Sequence, residues 1–174
     1  MSLSIYQSTV PVFEQTLNAL AAILDKAAAH AEAKKIDPSA LLSARLRPDM
    51  LAFPRQVQIA CDHAKNGTAR LANVEAPRFE DKEASIDELK ARVQATLDFI
   101  AGVDPKALEA NFNREIAIPV GKNTLKLNGA DYLLHFCLPN YYFHLTTAYD
   151  ILRYAGVEIG KRDFLGNVPR VTMG

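Results

Sequence analysis

Residues 140–144, NYYFH, hold the side chains of this chain that are best placed to do chemistry. His144 is one of only four histidines, and it lies among aromatic and aliphatic residues. An imidazole in such a setting can bind a metal, move a proton, or simply form one hydrogen bond inside a core. The choice between these roles depends on the element that carries His144 and on the residues that face it.

A helix predicted over residues 129–155 carries His144 toward the interior. Successive helical residues turn by about 100°, so Asn140 lies one turn before His144 on the same face, with Thr147 close beside them. Tyr141 belongs to the adjacent apolar stripe. These four side chains are therefore expected to border one pocket.

The opposite face of this helix is predicted to be polar. His135 is nine residues from His144, about half a turn around the helix axis, so it is expected to point to solvent. It forms an exposed pair with Asp131, four residues earlier. The two histidines therefore cannot share a metal on a regular helix.

The same projection places three large apolar residues on the inward side of the helix: Leu134, Phe143 and Tyr154.

A second helix, predicted over residues 49–73, supplies the side chains that would face His144. Its apolar stripe has two polar edges, formed by Arg55, Gln58 and Asp62 on one side and by Gln56 and His63 on the other. Arg55 and Gln58 are expected to line the pocket. Asp62 is a candidate to hydrogen-bond the second ring nitrogen of His144 and so fix its tautomer.

A metal site is the alternative use of the same side chains. Asp62 or His63 would then join His144 and Asn140 around a divalent transition metal such as zinc, nickel or iron, since mixed nitrogen and oxygen ligands suit these ions. Lys65 or Arg55 at the rim would orient an anionic substrate. Without a metal, His144 is a buried histidine hydrogen-bonded to a neighbouring helix, or part of a metal-free pocket for a small molecule.

Apolar periodicity organises the rest of the chain into helices. Four long amphipathic helices are predicted, at about residues 4–33, 49–73, 85–102 and 129–155. Asp37-Pro38 and Asp104-Pro105 each open a short helix. Alternating apolar residues over 114–127 predict a β-hairpin. The fold expected is all-α, a four-helix bundle with a small β-hairpin inserted between the third and fourth long helices.

Composition limits the classes of function. The 174 residues suit a single domain, 1–174, and the 20 basic residues balance the 20 acidic ones. No basic surface for nucleic acid is therefore expected, and self-association meets no net repulsion. No apolar run approaches the ~20 residues that span a membrane, and no signal peptide is recognisable, so a cytoplasmic protein is expected. The isolated Cys61 and Cys137 are predicted to be buried thiols.

Several whole segments resemble the DinB/YfiT-like superfamily of metal-dependent enzymes, and more closely an uncharacterised bacterial branch of similar length, a domain of unknown function. The segments are LDKAAAHAEAKKIDP, RLRPDMLAFPRQVQIACDHAK, GADYLLHF and PNYYFHLTTAYDILRYAGVEIGKRDFLG. The resemblance implies a four-helix bundle with up-down-down-up order. It also implies homodimers, and a divalent metal bound by one histidine of the second long helix and two of the fourth.

The chain departs from that ligand set at one position. In NYYFH, His144 matches the second histidine of the fourth helix, while Asn140 stands where the superfamily has the first. Asparagine is a poor ligand for zinc-like metals, so a degraded metal site is predicted. The favoured hypothesis is a dimeric scaffold or small-molecule-binding module. The alternative is a divalent-metal-dependent enzyme that uses His144, for example a low-molecular-weight-thiol transferase or a hydrolase.

Overall fold

The computed structural model describes residues 4–169; residues 1–3 and 170–174 of the expected domain lie outside the described residues. The helices are α1 (Ile5–Lys34), α2 (Pro38–Ser43), α3 (Phe53–Ala72), α4 (Ile86–Ala101), α5 (Pro105–Ala110), α6 (Gly129–Asp131), α7 (Leu138–Tyr154) and α8 (Lys161–Leu165). The antiparallel strands β1 (Glu115–Val120) and β2 (Asn123–Asn128) form the hairpin, and a π-helical segment (Tyr132–Cys137) joins α6 to α7. The predicted helical bundle with an inserted hairpin is confirmed.

Side-chain caps define where the helices begin. Ser4 accepts a hydrogen bond from the Gln7 backbone at the start of α1, and Ser85 does the same for Glu88 in α4. Asp37 and Asp104 cap α2 and α5, each followed by a proline in the first turn. Such oxygens satisfy backbone N–H groups that the first helical turn leaves without partners. These starts were therefore readable from sequence.

The helix α3 begins at Phe53, four residues later than predicted. Ala52 is its N-cap, and Pro54 lies in its first turn. Proline suits that position because the missing N–H would have no helical partner there. The helix packs against both α4 and α7, while α1 packs against α4. This arrangement puts one polar edge of α3 toward α7 and the other toward α4.

The fourth long helix is not a regular α-helix throughout. In the π-helical segment, the Leu138 backbone N–H bonds to the carbonyl of Leu133, five residues back rather than four. A wider turn changes the direction of every side chain in it relative to α7. Tyr132 is consequently buried and Leu134 is 55% exposed, although 100° periodicity predicts Leu134 to be inward.

Two further residues of this helix differ from the prediction. Phe143 is 56% exposed and Tyr154 is 82% exposed. The buried face of α7 is centred on Tyr141, Leu145 and Ala148, and residues 143 and 154 lie beyond its margin. The projection at 100° per residue treats this face and the adjacent stripe of the helix as one buried surface. It therefore overestimates the width of the buried face of α7.

The C-terminal helix α8 is held on α1. Lys26 pairs with Asp163 at 2.6 Å, and the Gln15 side chain donates to the Leu165 carbonyl at 2.8 Å. Gly166 follows with φ +61°, and a Cβ there would approach the Cβ of Ala19 to 2.9 Å. A left-handed glycine at this close approach lets the chain leave α8 along the surface of α1.

Candidate functional site

His144 is tied to α3 by a glutamine. Its Nδ1 lies 2.7 Å from Oε1 of Gln56, and Nε2 of Gln56 donates to the Leu51 carbonyl at 3.0 Å. Because the amide nitrogen is committed to a carbonyl, the amide oxygen accepts, and Nδ1 of His144 carries the proton. The neutral ring therefore keeps its lone pair on Nε2.

His63 of α3 lies beside His144 of α7. The two ring centroids are 6.1 Å apart with an interplanar angle of 14°, and Phe136 approaches His63 edge-on at 6.1 Å. Both histidines are partly buried. Among the described residues, no hydrogen-bond partner is found for the His63 ring, so its nitrogens are left for solvent or a ligand.

Burial keeps both rings neutral. The pKa of His63 is lowered from its ordinary 6.5 to about 4, with burial as the largest cause and His144 and Arg70 as smaller causes of the same shift. Burial also lowers the pKa of His144, with a smaller effect from the positive charge of Arg55. A desolvated imidazole next to positive groups resists protonation. At neutral pH the pair therefore presents lone pairs rather than charges.

Asn140 uses its amide within its own helix. Its Nδ2 donates to the carbonyl of Phe136 at 2.7 Å. The side-chain amide of α7 is thereby bonded to the π-helical segment that precedes it. Asn140 thus helps to hold the junction between the π-helical segment and α7.

The predicted residues on the other edge of α3 belong to a separate ionic network. Asp62 pairs with Arg92 of α4 at 3.0 Å and with Lys65 at 3.2 Å. Arg55 donates to Gln58 at 2.6 Å and pairs with Asp81. Asp62 is therefore not the partner of His144, a position that Gln56 occupies.

The two remaining predicted pocket residues lie in the core. The Tyr141 hydroxyl is 2.7 Å from Oγ1 of Thr16, and its side chain has no exposed surface. Thr147 is buried and donates to the Phe143 carbonyl at 2.7 Å. Both satisfy their polar atoms inside the bundle, so neither borders an open space.

The side chains around His144 do not form the three-histidine set that the family resemblance implies. Across residues 4–169, no three histidine, cysteine, aspartate or glutamate side chains come together as a metal-binding group. The donors at hand are the two imidazoles and the Asn140 amide, whose nitrogen is already engaged. A closed zinc-type site takes four protein ligands and an open one three, and the two imidazoles supply two of them.

Sequence reasoning missed Arg92, which occupies the centre of the ionic network. Its side chain is 2% exposed, and it pairs with Asp62, Asp81 and Glu83. One signal was available: position 92 falls within the apolar stripe of α4, three residues after Leu89. A charged residue at a buried helical position needs a partner, so Arg92 could have been found.

The largest cavity among those found lies away from the histidines. It has a volume of about 520 Å³ and lies between α4 and the connector that precedes it, with Phe79, Ala91 and Arg92 among its lining residues.

The helical bundle with an inserted hairpin is consistent with the DinB-like class of proteins. The chain belongs to the DUF1993 family: the family model described as a domain of unknown function (DUF1993) matches residues 5–165. The crystal structure of a DinB family member protein from Shewanella denitrificans is similar to this chain, with a TM-score of 0.89 and 42% sequence identity. The match covers 97% of this chain and 95% of that one.

No curated protein matches the chain. Within residues 4–169, no helix combines the length and apolar character needed to cross a membrane.

Proposed function

We propose that this protein is a binding module that holds a small molecule at the histidine pair, His63 and His144, without requiring a metal. The observation that carries this proposal is the state of the two rings. They lie 6.1 Å apart, their pKa values are lowered, and the proton of His144 is held by Gln56. Two neutral imidazoles, one of them held by Gln56, offer hydrogen-bond acceptors to a ligand.

The surroundings define the ligand class. Phe136 lies edge-on to His63, and Phe143 lies edge-on to His144 with ring centroids 5.2 Å apart. Aromatic side chains favour a flat or apolar ligand body. Arg55 contributes a positive charge near His144. The ligand expected is a small flat molecule with an N–H or O–H donor and an anionic substituent.

A second candidate is a divalent-metal-dependent enzyme that uses His144, for example a low-molecular-weight-thiol transferase or a hydrolase. One observation favours it. Metal-binding histidines almost always donate their other ring N–H to an oxygen acceptor, as His144 does to Gln56. His63 and His144 would hold the ion through two imidazoles, leaving the other positions open.

One set of measurements separates the two candidates. The protein is purified without a polyhistidine tag and its transition-metal content is measured, followed by calorimetric titration with zinc and nickel. The binding module predicts well under one equivalent of metal and no micromolar binding, because two imidazoles are too few ligands. Binding that reaches one equivalent and is lost in His63→Gln, but not in His135→Gln, supports the metal enzyme instead.

The ligand itself is sought by NMR with labelled histidine. A library of small aromatic acids is screened, and binding is scored from the ring signals of His63 and His144. His135 is the internal control because its side chain is 75% exposed on the far side of the helix. If bound compounds shift neither ring of the pair, the histidine pair is not the binding site.

The proposed module is also a homodimer. The chain has no net charge, so two copies meet no overall repulsion. Exposed large apolar residues lie on the fourth long helix, and such residues are common at the centre of protein interfaces: Leu134, Phe143 and Tyr154.

A further inference from the structure

The connector between α3 and α4, residues 73–85, is attached to the bundle almost entirely by charged and polar groups. It contains no helix or strand, and none of its side chains is fully buried. Its largest apolar side chain, Phe79, is only partly buried. A segment without an apolar anchor has a low free energy of local opening compared with the core.

Beneath the connector, α3 and α4 form a groove of three cations. Arg55 and Lys65 come from α3 and Arg92 from α4; the side chains of Lys65 and Arg92 are 5% and 2% exposed. Asp62 is the one helical carboxylate that pairs with them in the structure as described, bonding Lys65 and Arg92. Three cations against one carboxylate leave an excess of two positive charges in the groove.

The connector supplies the two negative charges that cancel this excess. Glu83 pairs with Arg92 at 2.8 Å and accepts a hydrogen bond from Gln58 at 2.7 Å. Asp81 pairs with Arg92 at 3.0 Å and also with Arg55. The connector carboxylates thus occupy the positions that an external anion would take.

Backbone and aromatic groups of the connector complete the same pattern. The Pro77 carbonyl accepts from Lys65 at 2.9 Å, and the Glu80 carbonyl accepts from Arg92 at 3.4 Å. Nζ of Lys65 and Cζ of Arg92 lie 4.3 and 5.4 Å from the centre of the Phe79 ring. Apart from the hydrogen bond from Gln58 to Glu83, these contacts of the connector with the groove go to the three cations.

We propose that the groove formed by Arg55, Lys65 and Arg92 is an anion-binding site, and that the connector is its built-in, displaceable occupant. The external ligand is a small polyanion with at least two phosphate or carboxylate groups, matching the two carboxylates it replaces. Arg and Lys groups of this kind bind such anions through charge-assisted hydrogen bonds. Lys65 and Arg92 of this site take no part in the function proposed above, whereas Arg55 is shared with it because its charge also acts on His144.

Trypsin cleavage after Arg78 measures the opening of the connector. Arg78 is exposed, but cleavage requires the surrounding backbone to detach from the bundle. Cleavage rates are divided by those of synthetic peptides covering residues 70–90 with the same substitution, which removes differences in intrinsic susceptibility. Tripolyphosphate is the probe anion, and sodium chloride at equal ionic strength is its control.

Glu83→Gln is expected to raise the normalised rate about tenfold or more, because it leaves the buried Arg92 short of a carboxylate. Glu80→Gln is the matched control. Its carboxylate pairs with Lys82 at the surface, so a change of less than about twofold is expected. Asp81→Asn replaces Glu83→Gln if that variant does not fold.

Tripolyphosphate at millimolar concentration is expected to raise cleavage of the wild-type protein several-fold beyond the salt control. The proposal is overturned if tripolyphosphate and sodium chloride act equally. It is also overturned if Glu83→Gln and Glu80→Gln are cleaved at the same rate. A third contrary result is a cleavage rate that rises with urea concentration in parallel with global unfolding, because the connector then opens only when the whole protein unfolds.

Discussion

At the scale of single residues, the site is decided by which polar side chain reaches which partner. Gln56 and Asp62 are both on α3 and both were candidates to face the bundle interior. Gln56 reaches His144, while Asp62 reaches Arg92. A neutral amide next to His144 fixes the tautomer without favouring the charged ring, whereas a carboxylate would stabilise the imidazolium. This choice keeps the histidine pair neutral.

The pKa of His63 gives a prediction for stability. Its folded pKa of about 4 lies below the ordinary 6.5, so the unfolded chain binds more protons between these values. The contribution of His63 to stability is therefore largest above pH 6.5 and is lost as the pH falls toward 4. Between pH 7 and pH 5 this loss is about 2 kcal/mol.

Urea unfolding at the two pH values, in metal-free buffer, checks this number. The wild type should lose about 2 kcal/mol more between pH 7 and pH 5 than His63→Gln, which has no titrating ring. His135→Gln, at a 75% exposed position, should behave as the wild type. Equal losses in the wild type and His63→Gln would show that burial does not disfavour protonation of His63.

At the scale of elements, the π-helical segment sets how α7 meets α3. It brings Cys137 against Gly67 of α3, where the thiol donates to the His63 carbonyl at 3.3 Å. The same segment places Phe136 beside the His63 ring. The interruption in the helix therefore shapes one wall of the candidate site.

Gly67→Ala is expected to destabilise the protein although alanine is the better helix former. A Cβ at position 67 would lie 2.5 Å from Sγ of Cys137. Overpacking of this kind costs about 1–3 kcal/mol. Adding Cys137→Ala should recover most of that loss, giving a coupling of about 1 kcal/mol or more in a double-mutant cycle measured by chemical denaturation.

Gly102→Ala is the control for this cycle. A Cβ at position 102 meets only backbone carbonyls at 3.5 Å, an ordinary contact, so a change within about 0.5 kcal/mol is expected. Additive effects of Gly67→Ala and Cys137→Ala would mean that the two side chains do not compete for the same space.

The sequence predicts most elements because their signals are local. N-cap residues mark the starts of four helices within their own segments, and each of them caps the expected helix: Ser4, Asp37, Ser85 and Asp104. The direction of Leu134 could not be predicted, because a wider helical turn leaves no clear mark in composition. The hydrogen-bond partner of His144 could not be predicted either. Helical periodicity places Gln56 and Asp62 on opposite edges of the apolar stripe of α3, but it does not show which edge faces His144.

At the scale of the whole molecule, the homodimer proposed above would be formed through exposed apolar side chains of the fourth long helix. Phe143 and Tyr154 lie more than half exposed on α7, and Leu134 does so on the π-helical segment. Phe143 and Tyr154 are about three helical turns apart, so they lie on one face of α7 and are the side chains that such an interface would bury. The histidine pair lies next to this surface, since Phe143 contacts His144.

Light scattering coupled to size-exclusion chromatography is expected to give twice the chain mass over a range of micromolar concentrations. Phe143→Glu should shift the protein toward monomer, because a charge in a desolvated interface is costly. Glu158→Gln, on the exposed surface of the loop after α7, is the control and should leave the mass unchanged. A monomeric wild type at all concentrations would remove the homodimer from the proposal.

The position of α8 on α1 has a consequence for how the chain acquires its structure during synthesis. The contact between Gln15 and Leu165 joins residues 150 positions apart, and the main helical neighbour of α1 is α4 rather than α3. The ribosome makes α1 first. The apolar face of α1 is not fully covered until α4, and later α8, have emerged from the ribosome. Contacts of such long range slow folding. We therefore expect α1 to be the segment that chaperones bind on the nascent chain, and the docking of α8 to be among the last steps of folding.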